Sequence, residues 1–503
     1  MVFPAKQSAG EMGNKSLFWF RQDLRLFDNP ALFDAVQAAP GKTLLVYIFA
    51  PQEEAPWQPS GASLVWLHHS LKALQSDLSE KGAKLHIFKT GTNERFQSSR
   101  EVLEFLCSKL EIGSVFWNRR YEPAVIARDT NIKAALKEQG LEVETSNGAL
   151  LNEPWQIKTK EGKPFQVFTP FWKACLSQMD LDPPLAIPDL KLANYGVLDG
   201  ECSLDDLNLL PTIAWDKSII EAYTPGEKKA QALLLEFLKK KVASYHHDRD
   251  LPHLVGVSRL SPYLHFGEIS ARTIWYQTKE FCQQNKKVAE EAAHFLRELG
   301  WREFSHHLLF HFPTTTDAPL RKDFLHFPWQ SDDAFLKAWQ KGQTGYPIVD
   351  AGMRELWQTG IMHNRVRMIT ASFLVKHLLQ PWQEGAKWFW DTLVDADLAQ
   401  NTLGWQWSAG CGADAAPYFR IFNPMLQGGK FDPDGLYVKQ YVPELKNLPT
   451  KYIHAPWEAP PMVLASCGIT LGETYPQPIV DHGKARERAL AAFQSLKATS
   501  TRA

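Results

Sequence analysis

The 503-residue chain has no CxxC pair, and its six cysteines, at 107, 175, 202, 282, 411 and 467, are scattered. That spacing argues against a cysteine-held zinc or iron–sulfur centre and fits a reduced protein without disulfides. No run of about 18 apolar residues occurs, so no transmembrane helix is expected. The opening stretch MVFPAKQSAGEMGNKS lacks a signal-peptide apolar core and reads as a disordered lead. An excess of either charge is missing too. Fifty-five Lys and Arg against 56 Asp and Glu leave a net charge of −1, so any nucleic-acid site must be a local patch. No GxGxxG follows a strand, and GKT at 41–43 has Val36 where a P-loop needs glycine. No GxSxG or HExxH is present, which disfavours a serine nucleophile or a zinc peptidase. The doubled histidines 246–247 and 306–307 diverge on a helix and read as structural or solvent-facing; no metal site is expected.

Aromatics are abundant: 18 tryptophans and 29 phenylalanines exceed what a core alone demands. From Lys15 to Asn147, short apolar runs (LFWF at 17–20, LLVYIF at 44–49, KLHIF at 84–88, SVFW at 114–117, LEVETS at 141–146) alternate with helical stretches at 63–82 and 102–110. Such alternation predicts a parallel sheet covered on both faces. Residues 181–225, dense in Pro, Asp and Gly, read as linker, and helical periodicity dominates from Gly226 to Leu471. The expected fold is an α/β N-terminal Rossmann-like parallel-sheet domain (15–147), a linker (148–225), a large all-α domain (226–475) and a C-terminal tail (476–503) that reads as a helix with a frayed Ser/Thr end.

Several segments carry chemistry-bearing side chains. Glu298, Trp301 and Arg302 share a helix face by spacing, although a solvated Glu–Arg pair beside a core tryptophan explains them as well. Asn364, Arg367 and Met368 share another, with Arg365 pointing elsewhere; a polar surface stripe is the plain alternative. Ser258, Arg259 and Ser261 form a donor-rich helix entry suited to phosphate, or simply a serine cap. DADLAQNTLGWQW (395–407) sets Asp395, Asp397, Asn401, Trp405 and Trp407 within a few turns.

Six ordered segments resemble the photolyase/cryptochrome family across nearly the whole chain. They are FWFRQDLRLFDNPAL, SRLSPYLHFGEIS, LRELGWREF, GYPIVDAGMREL, MHNRVRMITASFL and DADLAQNTLGWQWSAGCGADAAPYFRIFNP. The resemblance implies a bound FAD, with Tyr245 and Val257, Ser258, Arg259, Leu260 and Ser261 at its phosphates and ribose. It places Arg367, Asp395, Ala396, Asp397 and Asn401 at the flavin and ribose edges, with Asn401 facing N5. It implies light-driven repair of cyclobutane pyrimidine dimers by electron transfer from excited reduced FAD. Trp301 and Trp407 would stack on a flipped lesion in UV-damaged DNA. Glu298 would hydrogen-bond a base, with Asn364 and Met368 as pocket floor. Arg249, Arg302, Arg365 and Gln427 would meet the DNA backbone near the lesion. Trp405, Trp382 and Trp329 correspond to an electron chain that re-reduces the flavin, and Trp388 and Trp390 are spare indoles for a second branch.

EPW at 153–155 is most similar to class III bacterial members. By that resemblance an antenna, expected to be 5,10-methenyltetrahydrofolate, would involve Asn118, Glu122 and Trp155; deazaflavin or no antenna stays open. A monomer working in the bacterial cytosol with the chromosome is expected. A flavin photoreceptor signalling through a partner is the alternative from another class. Asn401 favours repair over it, since an aspartate there would supply a proton. A (6-4) enzyme is disfavoured because Asn364 and Met368 replace the histidines that class places there.

Overall fold

The structure, a computed structural model, describes residues 14–179 and 181–500, with side chains 497–500 undescribed. Residues 1–13 of the expected N-terminal lead and the end of the Ser/Thr stretch lie outside the described residues.

Strands β1 (Ser16–Phe20), β2 (Thr43–Phe49), β3 (Leu85–Lys89), β4 (Ser114–Asn118), β5 (Glu142–Ser146) and β6 (Glu201–Cys202) form one sheet in the order β5-β4-β1-β2-β3-β6. The first five are parallel, with Phe18 opposite both Leu45 and Phe116. β6 runs antiparallel to β3 through Ile87 and Phe88. Side chains alternate faces along each strand. Leu17, Trp19, Val46 and Ile48 fill an outer core, while Phe18, Phe20, Leu45 and Tyr47 belong to a core that continues into the helices as Phe237, Tyr245 and Phe295. The chain reverses strand order at β1, which has β2 and β4 as neighbours. A ligand crevice is expected at the carboxyl ends of strands around such a point.

Two buried carboxylates of the helical part hold loops of the sheet part. Glu227 accepts the Leu26 and Phe27 N–H groups at 2.7 and 2.9 Å, and Glu303 accepts those of Leu151 and Asn152 at 2.9 and 3.0 Å. Gly267, at φ +66°, lets the chain pass within reach of the Gln22 carbonyl, where a Cβ would sit 2.2 Å from that oxygen.

Two stretches differ from expectation. The run read as linker carries β6 and the helices Phe168–Gln178 and Lys217–Ala222. The run 226–250 is three pieces, Glu227–Lys240, a 3₁₀ turn Val242–Ser244 and Tyr245–Asp248, because burying both Val242 and Tyr245 turns the chain inward. The helix read in the C-terminal stretch is present as His482–Ser500, and it buries Ala489 and Leu496 in the main helical core. It packs on a π-helical turn, Phe373–His377, that continues the Asn364–Ser372 helix.

Candidate functional site

Four helices build the site: Ala289–His311, Asn364–Ser372, Trp382–Thr392 and Leu398–Ala409. The last one starts at Asp397, whose side chain caps it by accepting the Gln400 N–H at 2.8 Å. The other face of that carboxylate meets His306 Nε2 at 3.5 Å. Burial acts to raise the Asp397 carboxyl, but His306, Arg302, His265 and the Gln400 N–H hold it below its ordinary value. Asp397 therefore spends its charge on the helix start and the buried His306.

Asp395, two residues earlier, accepts both Arg367 Nη2 contacts, at 3.0 and 2.9 Å, and the Ser261 hydroxyl at 2.6 Å. Arg367 is fixed further by its Nε donating to the Met362 carbonyl at 2.7 Å. This network joins three elements distant in sequence. Ala396 between the two aspartates is buried in the core. Ser261 opens a helix of only five residues, Ser261–His265, whose cap residue is Leu260, so neither the serine cap nor a long helix dipole is present. What the entry offers is Arg259, exposed at φ +57° and lying over Tyr223 at 5.8 Å, with Ser258 and Val257 half-buried beside it. Tyr245 is buried beneath the Arg249 guanidinium, 5.4 Å from its ring.

On the Leu398–Ala409 helix, Asn401 donates from Nδ2 to the Ala386 carbonyl at 3.0 Å. One turn on, Trp405 is buried against Phe389 and Trp339, with ring centroids 4.9 and 6.1 Å away. Trp382 is buried in the same core, and Trp329 lies half-buried at its edge, where Gln330 donates to the Leu379 carbonyl at 2.8 Å. Of the three expected indoles, two are thus buried and Trp329 alone reaches solvent. Of the spare indoles, Trp388 stacks on the exposed Trp357 at 6.0 Å and 6°, and Trp390 meets Trp57 edge-on at 5.6 Å.

The expected lesion residues are gathered in part. Trp301 is half-buried, one face covered by Phe168 at 3.7 Å and 7°. Trp407 is half-buried, Asn364 exposed, and Gln427 half-buried on the helix Pro424–Phe431. Glu298 pairs with Arg249 at 2.6 Å. Arg365 does not point away from Met368: its Nη1 lies 3.8 Å from Met368 Sδ, and its Nη2 binds Asp250 at 2.7 Å. Arg302 is the clear correction. It is 5 % exposed, donates to the Ala149 carbonyl at 2.8 Å and faces the sheet part, so it is closed to a DNA backbone. Its i, i+4 relation to Glu298 gave the direction of the face but not the loop that covers its far end.

The antenna residues divide. Asn118 is a correction: buried at the end of β4, it donates to Asp23 at 2.6 Å and Asn29 at 2.7 Å and accepts the Ala31 N–H, leaving no N–H for a ligand. Trp155 lies on the surface beside Phe310 and Arg119. Glu122 alone, held below its ordinary value at about 2 against the raising effect of burial by Arg120, lines a cavity of about 350 Å³. That cavity opens at the ends of β1, β2 and β4, with Trp57, Trp390, Arg120 and Arg128 around it. Trp57 and Asp250 were not singled out from sequence; nothing local distinguishes either residue. Among the described residues, no group of three His, Cys, Asp or Glu side chains could hold a metal, and no helix is long and apolar enough to cross a membrane.

Comparison with known proteins completes this picture. Residues 16–189 match the family model described as DNA photolyase, and residues 295–495 that described as FAD binding domain of DNA photolyase. A deoxyribodipyrimidine photo-lyase of Agrobacterium fabrum is 48% identical over 485 residues, covering 96% of this chain and 98% of the relative. Cryptochrome-2 of Arabidopsis thaliana is 42% identical over 95% of this chain and 78% of its own length. The crystal structure of a bacterial class III photolyase from Agrobacterium tumefaciens superposes with a TM-score of 0.91 at 46% identity, covering 98% of this chain and all of that one.

Proposed function

The chain belongs to the photolyase/cryptochrome family, and on that premise we propose that it is a deoxyribodipyrimidine photo-lyase that repairs cyclobutane pyrimidine dimers in UV-damaged DNA under light. The observation that carries this reading is the Asn401 amide, tethered by its Nδ2 to the Ala386 carbonyl and so presenting an oxygen that accepts a hydrogen bond but gives no proton. The donor set suits FAD: Arg259 and Arg367 are cations for its phosphates and ring edge, and the Ser261–Asp395–Arg367 network is already oriented. Bound FAD, in its reduced state, supplies the electron on illumination.

The protein's own groups do the rest. Trp301 and Trp407 offer half-buried indole faces for an extruded pyrimidine pair, worth roughly 1–3 kcal/mol per stacked base. Glu298 is the polar group for a base edge, with Asn364 and Met368 beside it. Arg249, Arg365 and Gln427 meet phosphates, Arg302 being closed to them. Trp405, Trp382 and Trp329 carry electrons between the cofactor and the surface. The 350 Å³ cavity, walled by Trp57 and Trp390 with Glu122, Arg120 and Arg128, suits a flat, charged second chromophore such as 5,10-methenyltetrahydrofolate, in place of the site expected at Trp155. We assign residues 15–147 to the antenna unit, 148–225 to the connection, 226–475 to the catalytic unit and 476–503 to the C-terminal segment, in a monomer that works in the cytosol with its DNA.

A repair assay tests this. Flavin-loaded protein and light should restore oligonucleotides bearing a cyclobutane dimer and leave a (6-4) photoproduct intact, with no dark reaction. Photoreduction without repair of either lesion would overturn the reading in favour of a photoreceptor. Repair of the (6-4) substrate alone would overturn the choice of lesion.

A further inference from the structure

Two ion pairs made by consecutive residues stand where the photo-lyase reading puts the mouth of the lesion pocket. Arg249 Nη1 lies 2.6 Å from Glu298 Oε1 on the Ala289–His311 helix, and Asp250 Oδ1 lies 2.7 Å from Arg365 Nη2 on the Asn364–Ser372 helix. The dipeptide thus joins two walls of the site with charges of opposite order. Side-chain exposures of 21% and 32% for the first pair, and 37% and 23% for the second, leave all four groups within reach of solvent. Each guanidinium also rests on a ring, Arg249 over Tyr245 at 5.4 Å and Arg365 over Phe431 at 4.5 Å. The rings hold both cations at the mouth whether or not the carboxylates do.

We propose that Arg249–Asp250 is a charge-exchange latch, in which phosphates of a docking DNA strand take Arg249 and Arg365 from Glu298 and Asp250. The inference rests on the photo-lyase reading and deepens it. In the free protein each of these two guanidinium groups faces a carboxylate, so neither is unpaired toward undamaged DNA. Each phosphate bound breaks one pair. Breaking the first also releases Glu298, whose carboxylate is otherwise committed to Arg249, to turn toward a base edge. Asp250 never touches the lesion; it is a positioning residue that acts through Arg365. A partly exposed pair is a suitable latch because its two charges attract one another weakly enough for a phosphate to compete.

The test measures affinity of the flavin-loaded protein for an undamaged single-stranded oligonucleotide across a salt series. Asp250→Asn should tighten binding about two- to fivefold, the scale of one exposed ion pair. The slope of log K against log salt should stay nearly the same, because Arg365 neutralises the same phosphate in both proteins and only the competing carboxylate is removed. Removing any negative charge could raise affinity in a general way, so the same change is made in an Arg365→Ala background. There the gain should vanish. An equal gain with and without Arg365 overturns the latch, as does unchanged binding by Asp250→Asn protein that keeps its flavin and melting temperature. Wild-type protein that binds neither undamaged nor dimer-bearing DNA sinks the photo-lyase reading itself. Wild-type repair alongside an additive Asp250–Arg365 cycle sinks only the exchange.

Discussion

Asn401 Nδ2 donates to the Ala386 carbonyl at 3.0 Å, across the contact between the Leu398–Ala409 and Trp382–Thr392 helices. Asn401→Asp replaces that donor with an oxygen facing an oxygen. The variant should lose about 1–3 kcal/mol at neutral pH, the cost of an unsatisfied, repelled acceptor. Protonation restores a donor, so the variant carboxyl has a raised folded-state pKa. The deficit is present at high pH and shrinks as pH falls. Thermal melts of both proteins between pH 4 and 8 check this; a constant gap would contradict it.

Gly385 and Trp405 share the same helix contact. A Cβ at Gly385 would lie 2.0 Å from Trp405 Cη2. Gly385→Ala should therefore destabilise by about 1–3 kcal/mol through overpacking and displace the Trp405 indole. Light-driven flavin reduction should slow in this variant. It should slow also in Trp382→Phe, which leaves the Trp405 contact untouched, while dimer repair by chemically pre-reduced Trp382→Phe protein persists. Photoreduction at the wild-type rate in Trp382→Phe would remove Trp382 from the electron path.

Glu268 is fully buried, accepts the Trp66 indole N–H at 3.1 Å, and is pushed by burial up to about 8 despite donors around it. Its folded state keeps a proton that the unfolded chain releases near 4.5. Its contribution is fully present below that value and is lost as pH rises through about 8. Glu268→Gln, which keeps an acceptor for Trp66, should match wild type near pH 5 and exceed it near pH 8 by on the order of a few kcal/mol. Denaturant titrations at the two pH values measure the difference.

Asp397 shows the opposite sign. Its carboxyl is held below its ordinary 3.8 by His306, Arg302, His265 and the helix start, against the effect of burial. It contributes stability above that value, lost as pH falls through the lowered one. Asp397→Asn keeps the cap but not the charge. It should cost about 1–2 kcal/mol at pH 7, a deficit that shrinks as pH falls through the lowered value. Melting curves that stay parallel across this range would exclude the charge as the source.

Five of the six strands could be read from the chain because apolar runs of strand length are a local property. β6 could not: two residues become a strand only by pairing with Ile87 and Phe88, over a hundred positions earlier. The family motifs located the aspartates, Asn401 and the tryptophans. Motifs carry residue identity but not burial, so they could not distinguish Arg302, covered by the loop at Ala149, from Arg365, which keeps part of its side chain in solvent. Asn118 failed as an antenna ligand for the same reason, its amide being consumed by Asp23 and Asn29.

By itself, then, the sequence determined the alternation of strands and helices in the first part and the helical character of the second, which follow from periodicity and composition over a few residues. The candidate flavin and indole side chains came instead from its resemblance to family motifs. Tertiary structure decided which charges meet: Asp395 with Arg367, Glu298 with Arg249, Asp250 with Arg365. Such pairs join helices far apart in the chain, and an ion pair's strength depends on distance and on exclusion of water, which packing alone sets.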